Sequence, residues 1–274
     1  MLVIGEKINV MSKTVGVAMK ERDSRPIQDM ALQQIDGGAD VLDINLGPAT
    51  KGGPEMMGWV VQTVQKAVPG VRLCLDTMNP EAMRAGLAAC DNQPIINSTS
   101  AERARLETYL PMAKEYEAEI IGLAMTEAGI SRDAAERVMA ASEIVMAMME
   151  FDVPLDRVYL DPLLLPIGVA QQQAPEALEA IAMFKQLNDP PLKTVVGLSN
   201  IYNACPEHVR SPLAAAFLRL LIPAGLDAAI MDPDDELQMS VVRSKPTTPA
   251  DDEAIEKSLS VLKNETLYCD SYLD

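Results

Sequence analysis

The chain is predicted to be an α/β protein, a single (β/α)8 barrel with one extra helix at its C-terminus. Short apolar runs alternate with amphipathic helical stretches about eight times along 274 residues, with no linker between units. That length suits one such barrel. Nearly every apolar run closes on an amide, hydroxyl or carboxylate: LVIGEKIN on Glu6 and Asn9, VLDIN on Asp43 and Asn45, RLCLD on Asp76, PIIN on Asn97, VYLDP on Asp161, TVVGLSN on Ser199 and Asn200, DAAIMD on Asp232. Parallel strands buried on both faces read as near-continuous Val, Ile and Leu. An open doubly wound sheet would alternate in the same way, but eight units without a GxGxxG after the first strand favour the closed barrel.

The elements follow in order. After the first strand, a helix runs over residues 24–38, with Pro26 near its start and the Gly37-Gly38 pair as its stop. The second strand covers about 40–46 and a helix 54–67. The third strand is 71–75, and Asn79-Pro80 opens the third helix, with Asn79 as its N-cap. A strand at 94–97 precedes a helix at about 101–116, and the fifth strand is 119–123. A long helix at 131–150 is given Ser131 as its cap. The sixth strand lies at 158–160, with a helix at 175–187. The seventh spans 193–198, with a helix at 211–222, and the eighth is 227–231. The Pro/Thr-rich segment 243–250 reads as a surface connection, and the helix near 251–262 packs outside. The whole of 1–274 is read as one domain.

Composition narrows the partners. Apolar residues make up 48% of the chain and aromatics only 4%, so aliphatic side chains and 17 Met must fill the core. Met does this readily because it is unbranched and adapts to gaps. A net charge of −17 speaks against nucleic acid, whose phosphates need basic clusters, and against an anionic membrane surface. Cys74, Cys90, Cys205 and Cys269 show no CxxC spacing, so free thiols in a reducing cytoplasm are expected. The opening residues have no signal-peptide pattern, which agrees with a cytoplasmic setting. His208 is the sole histidine, and no metal site is expected.

In such a barrel, chemistry sits at the C-terminal ends of the strands. Asp76, Asn97, Asp161 and Asn200 all fall there. Carboxylates only accept hydrogen bonds, whereas Asn both donates and accepts. This mixture suits the edge of a pterin, which presents a 2-amino group and ring N–H donors beside a carbonyl. Each residue also has a plainer reading. Asp76 could order the turn before Asn79, Asn97 sits in a string of capping residues, and Pro162 alone would extend Asp161. Four such residues at matching positions raise the functional reading above helix capping. Gly197 either lets a ligand approach the backbone or kinks a strand. The polar loop SNIYNACPEH carries Asn203 and His208, and loops on rigid scaffolds often bind ligands.

The segments IGEKIN, LDINLGPA, LCLDTMN, INSTSAER, YLDPLLLP, KTVVGLSN, GLDAAIMD and YCDSY span the chain in order. Together they resemble the pterin-binding methyltransferases, in particular those that act between tetrahydrofolate and corrinoid proteins. The resemblance implies a TIM barrel, a homodimer, and methyl transfer between N5 of (methyl)tetrahydrofolate and the cobalt of a corrinoid (cobalamin) carried by a partner protein. Carried over by motif, Asp76, Asn97 and Asp161 hold the pterin and Asn200 hydrogen-bonds near N5. Gly197 and Ser199 line the same floor. Where the family has a longer amide and an Arg to hold the folate, this chain has Asn203 and His208, with Arg210 nearby. Asn203 is accordingly a candidate contact to folate.

Two other readings compete. Dihydropteroate synthase has a related barrel, but it carries a Lys after the seventh strand and an Arg motif near the eighth, where this chain reads GLSN and IMDP. A non-catalytic pterin-binding subunit of a corrinoid complex would keep the same polar floor.

Overall fold

The computed structural model describes residues 1–49 and 51–273. Eight parallel strands close into a barrel. They are β1 (Leu2–Asn9), β2 (Val41–Gly47), β3 (Arg72–Thr77), β4 (Ile95–Ser100), β5 (Glu119–Leu123), β6 (Val158–Asp161), β7 (Lys193–Gly197) and β8 (Ala228–Met231). Each pairs with its sequence neighbour, and β8 closes onto β1, with Leu2 opposite Ala228 and Gly5 opposite Met231. The predicted barrel is the observed one.

Its interior is layered, because side chains alternate across a strand with period two. Ile4, Val41, Cys74, Ile95, Ile121, Tyr159, Val195 and Ala228, one from each strand, form an apolar plug. Two residues earlier, at the closed end, Glu119 pairs with both Arg72 and Lys193. The Lys193 ammonium stands 4.6 Å from the Tyr159 ring centre. The opposite strand faces, including Leu42, Ile44, Leu75, Ile96, Leu160 and Val196, pack beneath the surrounding helices in one large core.

The helices largely follow their punctuation. Asp23 caps Ser24–Gly37, and Gly38 ends it at φ +106°, a left-handed turn that glycine adopts without strain. Asn79 caps Pro80–Ala89, accepting from the N–H groups of Glu81 and Ala82. Two expectations are corrected. The cap of Ala134–Glu150 is Asp133, whose side chain accepts from the Glu136 N–H. Ser131 is buried and donates to the Ala124 carbonyl at 2.8 Å, which ties down the hairpin of Met125–Thr126 and Gly129–Ile130. The helix after β7 starts at Glu207 rather than at 211.

The hairpin, two short helices at Val15–Glu21 and Ile167–Ala170, and a helix at Glu236–Val242 are additions to the expected element order. The last helix, Pro249–Leu262, opens with a full capping box from Thr248 and Asp251. The segment after it folds back on the molecule. Gln171 donates to the carbonyls of Val261 and Thr266, both at 2.7 Å, and accepts from the Tyr268 N–H at 2.9 Å. No helix among the described residues is long and apolar enough to cross a membrane.

Candidate active site

Two residues beyond the apolar plug, each strand places one more residue at the barrel interior: Glu6, Asp43, Asp76, Asn97, Leu123, Asp161, Gly197 and Ile230. All eight line one cavity of about 800 Å³ at the C-terminal mouth. Asn9, Asn45, Ser199, Asn200 and Leu163 line it higher up. The period-two count therefore converts an apolar floor into a polar bowl within one turn of the pleat.

Six of the seven residues expected at the site share this bowl: Asp76, Asn97, Asp161, Gly197, Ser199 and Asn200. The exception is Asn203. The chain turns outward through a 3-10 segment, Leu198–Tyr202, and leaves Asn203 exposed, its amide donating to Asn200 Oδ1 at 3.3 Å. It touches Asn200 and does not line the cavity. His208 and Arg210 are exposed on the following helix, and Arg210 donates to the Cys205 carbonyl. Glu6, Asp43 and Asn45 also belong to the bowl; in the sequence they stand out only as polar residues closing apolar runs.

The plainer reading of Asp76 fails, because Asn79 does the capping and Asp76 instead accepts from the Asn45 amide. For Asp161 it holds in part, since Oδ1 accepts from the Leu163 N–H at 2.7 Å and fixes the turn. Asn97 donates to Asp43 Oδ1 at 3.1 Å, and Ser199 donates to Glu6 Oε2 at 2.8 Å. Each carboxylate is thus held by an amide, hydroxyl or backbone donor.

The bowl is short of positive charge. Among the described lining residues Lys7 is the one basic side chain, and it is clamped by Asp232 at 2.8 Å and Asp234 at 2.7 Å. Burial therefore pushes the carboxyls up. Asp161 is raised to about 7 by burial, opposed by the Leu163 and Gly197 N–H groups and by Arg137. Burial raises Asp76 to about 6. Asp43 is raised by burial and by the adjacent Asp76, and Glu6 chiefly by burial. A ligand that brings several N–H donors to these groups stabilises their ionised forms by hydrogen bonding.

Gly197 has a steric role here. A Cβ built on it would lie 2.9 Å from Asn200 Nδ2, and its φ of −80° would tolerate a side chain. Gly197→Ala should therefore shift the melting temperature little yet displace the Asn200 amide. We expect loss of turnover with the fold intact, read by steady-state kinetics beside a thermal melt.

A barrel whose mouth gathers carboxylates and amides around an apolar floor, with no free cation among the described lining residues, is built to bind a donor-rich heterocycle. The family described as pterin binding enzymes matches residues 5–232, and the chain belongs to it. Among curated relatives, the methylcorrinoid:tetrahydrofolate methyltransferase of Eubacterium limosum is 27% identical over 244 residues, covering 88% of this chain and 89% of the relative. Methionine synthase of Mycobacterium leprae is 27% identical over 240 residues, 84% of this chain, which spans only 20% of that protein. Among solved structures, dihydropteroate synthase from Stenotrophomonas maltophilia shares the fold at a TM-score of 0.63 and 19% identity, covering 90% of this chain and 94% of that one.

Proposed function

We propose that the chain transfers a methyl group between N5 of tetrahydrofolate and a corrinoid carried by a partner protein. One transition state serves both directions, so the same residues act whichever way the methyl flows. The observation that carries this reading is the ring of Asp43, Asp76, Asn97 and Asp161 on four separate strands facing one cavity. The similarity to a methylcorrinoid:tetrahydrofolate methyltransferase over most of both chains supports it. A homodimer in the cytoplasm belongs to the same proposal.

In this reading Asp76, Asn97 and Asp161 accept from, and donate to, the pterin edge. Charge-assisted bonds of this kind contribute about 1.5–3 kcal/mol each. The corrinoid supplies a cobalt centre that takes or gives the methyl. The chain's own task is the nitrogen: a methyl on a neutral tertiary amine leaves poorly, so N5 must gain positive charge as the bond to carbon stretches. In the same reading the Asn200 side chain hydrogen-bonds protonated N5, and the absence of a side chain at Gly197 gives its amide room. Preorganised groups of this sort act where charge develops.

Incubation with methyltetrahydrofolate and reduced cobalamin, followed by the cobalt absorption spectrum, tests the assignment. Demethylation of the folate with appearance of methylcobalamin is expected. Tight folate binding with no transfer, even with a corrinoid protein supplied, would instead leave the chain a binding subunit.

The shared fold also raises dihydropteroate synthesis. A pyrophosphate leaving group would find no free cation among the described lining residues, since Lys7 is paired with Asp232 and Asp234. Incubation with dihydropterin pyrophosphate and p-aminobenzoate should give no dihydropteroate; its formation would overturn the methyl-transfer reading.

A further inference from the structure

We propose that Arg137 is a positioning residue for Asp161: its buried guanidinium fixes the Pro162 turn and places positive charge behind the carboxylate, so that Asp161 meets its ligand as an anion. This rests on the reading of Asp161 as an acceptor for the pterin. Arg137 projects from the helix after β5 and is fully buried. Its Nε donates to the Pro162 carbonyl at 2.7 Å and its Nη2 to Gln173 Oε1 at 2.9 Å. Gln173 is held in turn, its amide donating to the Arg132 carbonyl at 2.8 Å. Arg137 Nη1 is buried and has no partner among the described residues.

A buried arginine bonded to a carbonyl and an amide, rather than to a carboxylate, is an expensive way to fill a core, since an apolar side chain of similar size would avoid the desolvation. The expense falls directly beneath the loop that carries Asp161. There Leu163 adopts φ +65°, a left-handed backbone that a branched side chain disfavours. The same Leu163 points its N–H at Asp161 Oδ1 and lines the cavity. Arg137 thus pins the carbonyl between the carboxylate and the strained residue.

The guanidinium's field is shared among several carboxylates, Glu176 and Asp133 ahead of Asp161. Besides Asp161, it feels Glu176, Asp133 and Glu136. Glu176 accepts from the Ala134 N–H, Asp133 caps the helix, and Glu136 is bound by Arg132, so each is engaged elsewhere. Asp161 in turn faces the N–H groups of Leu163 and Gly197 and the Arg137 charge. Glu6, Asp43 and Asp76 stand across the bowl on β1, β2 and β3.

The test is tetrahydrofolate affinity from pH 5.5 to 9 for wild type, Arg137→Met and Arg137→Lys, with carboxyl-carbon NMR of Asp161 in the ligand-free proteins. Without the guanidinium Asp161 should ionise about one pH unit higher. Affinity should then fall about tenfold at pH 6 and converge with wild type by pH 9. Arg137→Lys should recover most of the loss. A deficit of equal size at every pH, or a lysine variant no better than the methionine one, would show an ordinary structural role and overturn the proposal. If Arg137→Met does not fold, Gln173→Glu sets a carboxylate against the guanidinium and should move Asp161 in the same direction; an unmoved titration overturns it. If wild type binds no tetrahydrofolate, the functional reading fails, and the ligand-free titration of Asp161 still decides the role of Arg137.

Discussion

Asp161→Asn should weaken folate binding about ten- to a hundredfold while leaving the ligand-free protein at pH 8 at least as stable as wild type. The two effects have one origin. Asp161 is only 6% exposed, and its folded pKa of about 7 lies above its ordinary value of 3.8. The folded state therefore holds this proton more tightly than the unfolded chain. Below pH about 4 the carboxyl is protonated in both states and carries no penalty. As pH rises from about 4 to 7 the unfolded chain ionises first, and stability falls; above 7 the penalty is complete. At about 1.4 kcal/mol per pKa unit it reaches on the order of 4 kcal/mol. Loss of one backbone acceptor in the amide takes back about 1 kcal/mol. Thermal melts should show the variant drawing level with wild type near pH 4 and overtaking it toward pH 8. Titration calorimetry should show the lost affinity. Unchanged affinity would remove Asp161 from the ring-binding set, whatever the melts show.

Asn200→Ala should lower the methyl-transfer rate about a hundredfold while changing the folate dissociation constant less than about threefold. Its amide would contribute most when N5 carries charge, which is late in the reaction coordinate, so the loss belongs to the transition state. Single-turnover rates set beside equilibrium binding separate the two. Equal losses in both would make Asn200 an ordinary contact to the bound ring. Asn203 offers a comparison: exposed, and joined to Asn200 by one 3.3 Å hydrogen bond, it should affect the rate far less when changed to Ala.

Why the strands were legible and some of the site was not follows from what each depends on. Parallel strands announce themselves as apolar runs, and their polar stops mark the mouth. Asp76, Asn97 and Asp161 stand at such stops, each two residues beyond a member of the apolar plug. Glu6 and Asp43 obey the same count, but each run carries a second polar residue further on, Asn9 or Asn45, so the strand period is what singles them out. An Asp between Leu42 and Ile44, with no helix nearby to cap, is the signal that could have found the second of these.

Asn203 stands outside the cavity lining because the chain leaves β7 through the 3-10 turn at Leu198–Tyr202, a direction that nothing local in the sequence shows. Ser131 and Asp133 are both good caps, and the choice between them was made by burial of Ser131 against Ala124. Short helices such as Val15–Glu21 are formed by tertiary packing more than by propensity, so their sequences carry little warning.

The segment beyond Leu262 is stitched by Gln171 to the short helix that follows β6. Any event that frays the C-terminal stretch, such as clipping by a protease, would therefore loosen the wall holding Leu163 and Asp161 without touching the cavity. By mass action the traffic runs both ways: a molecule bound in the bowl should slow digestion at that distant terminus.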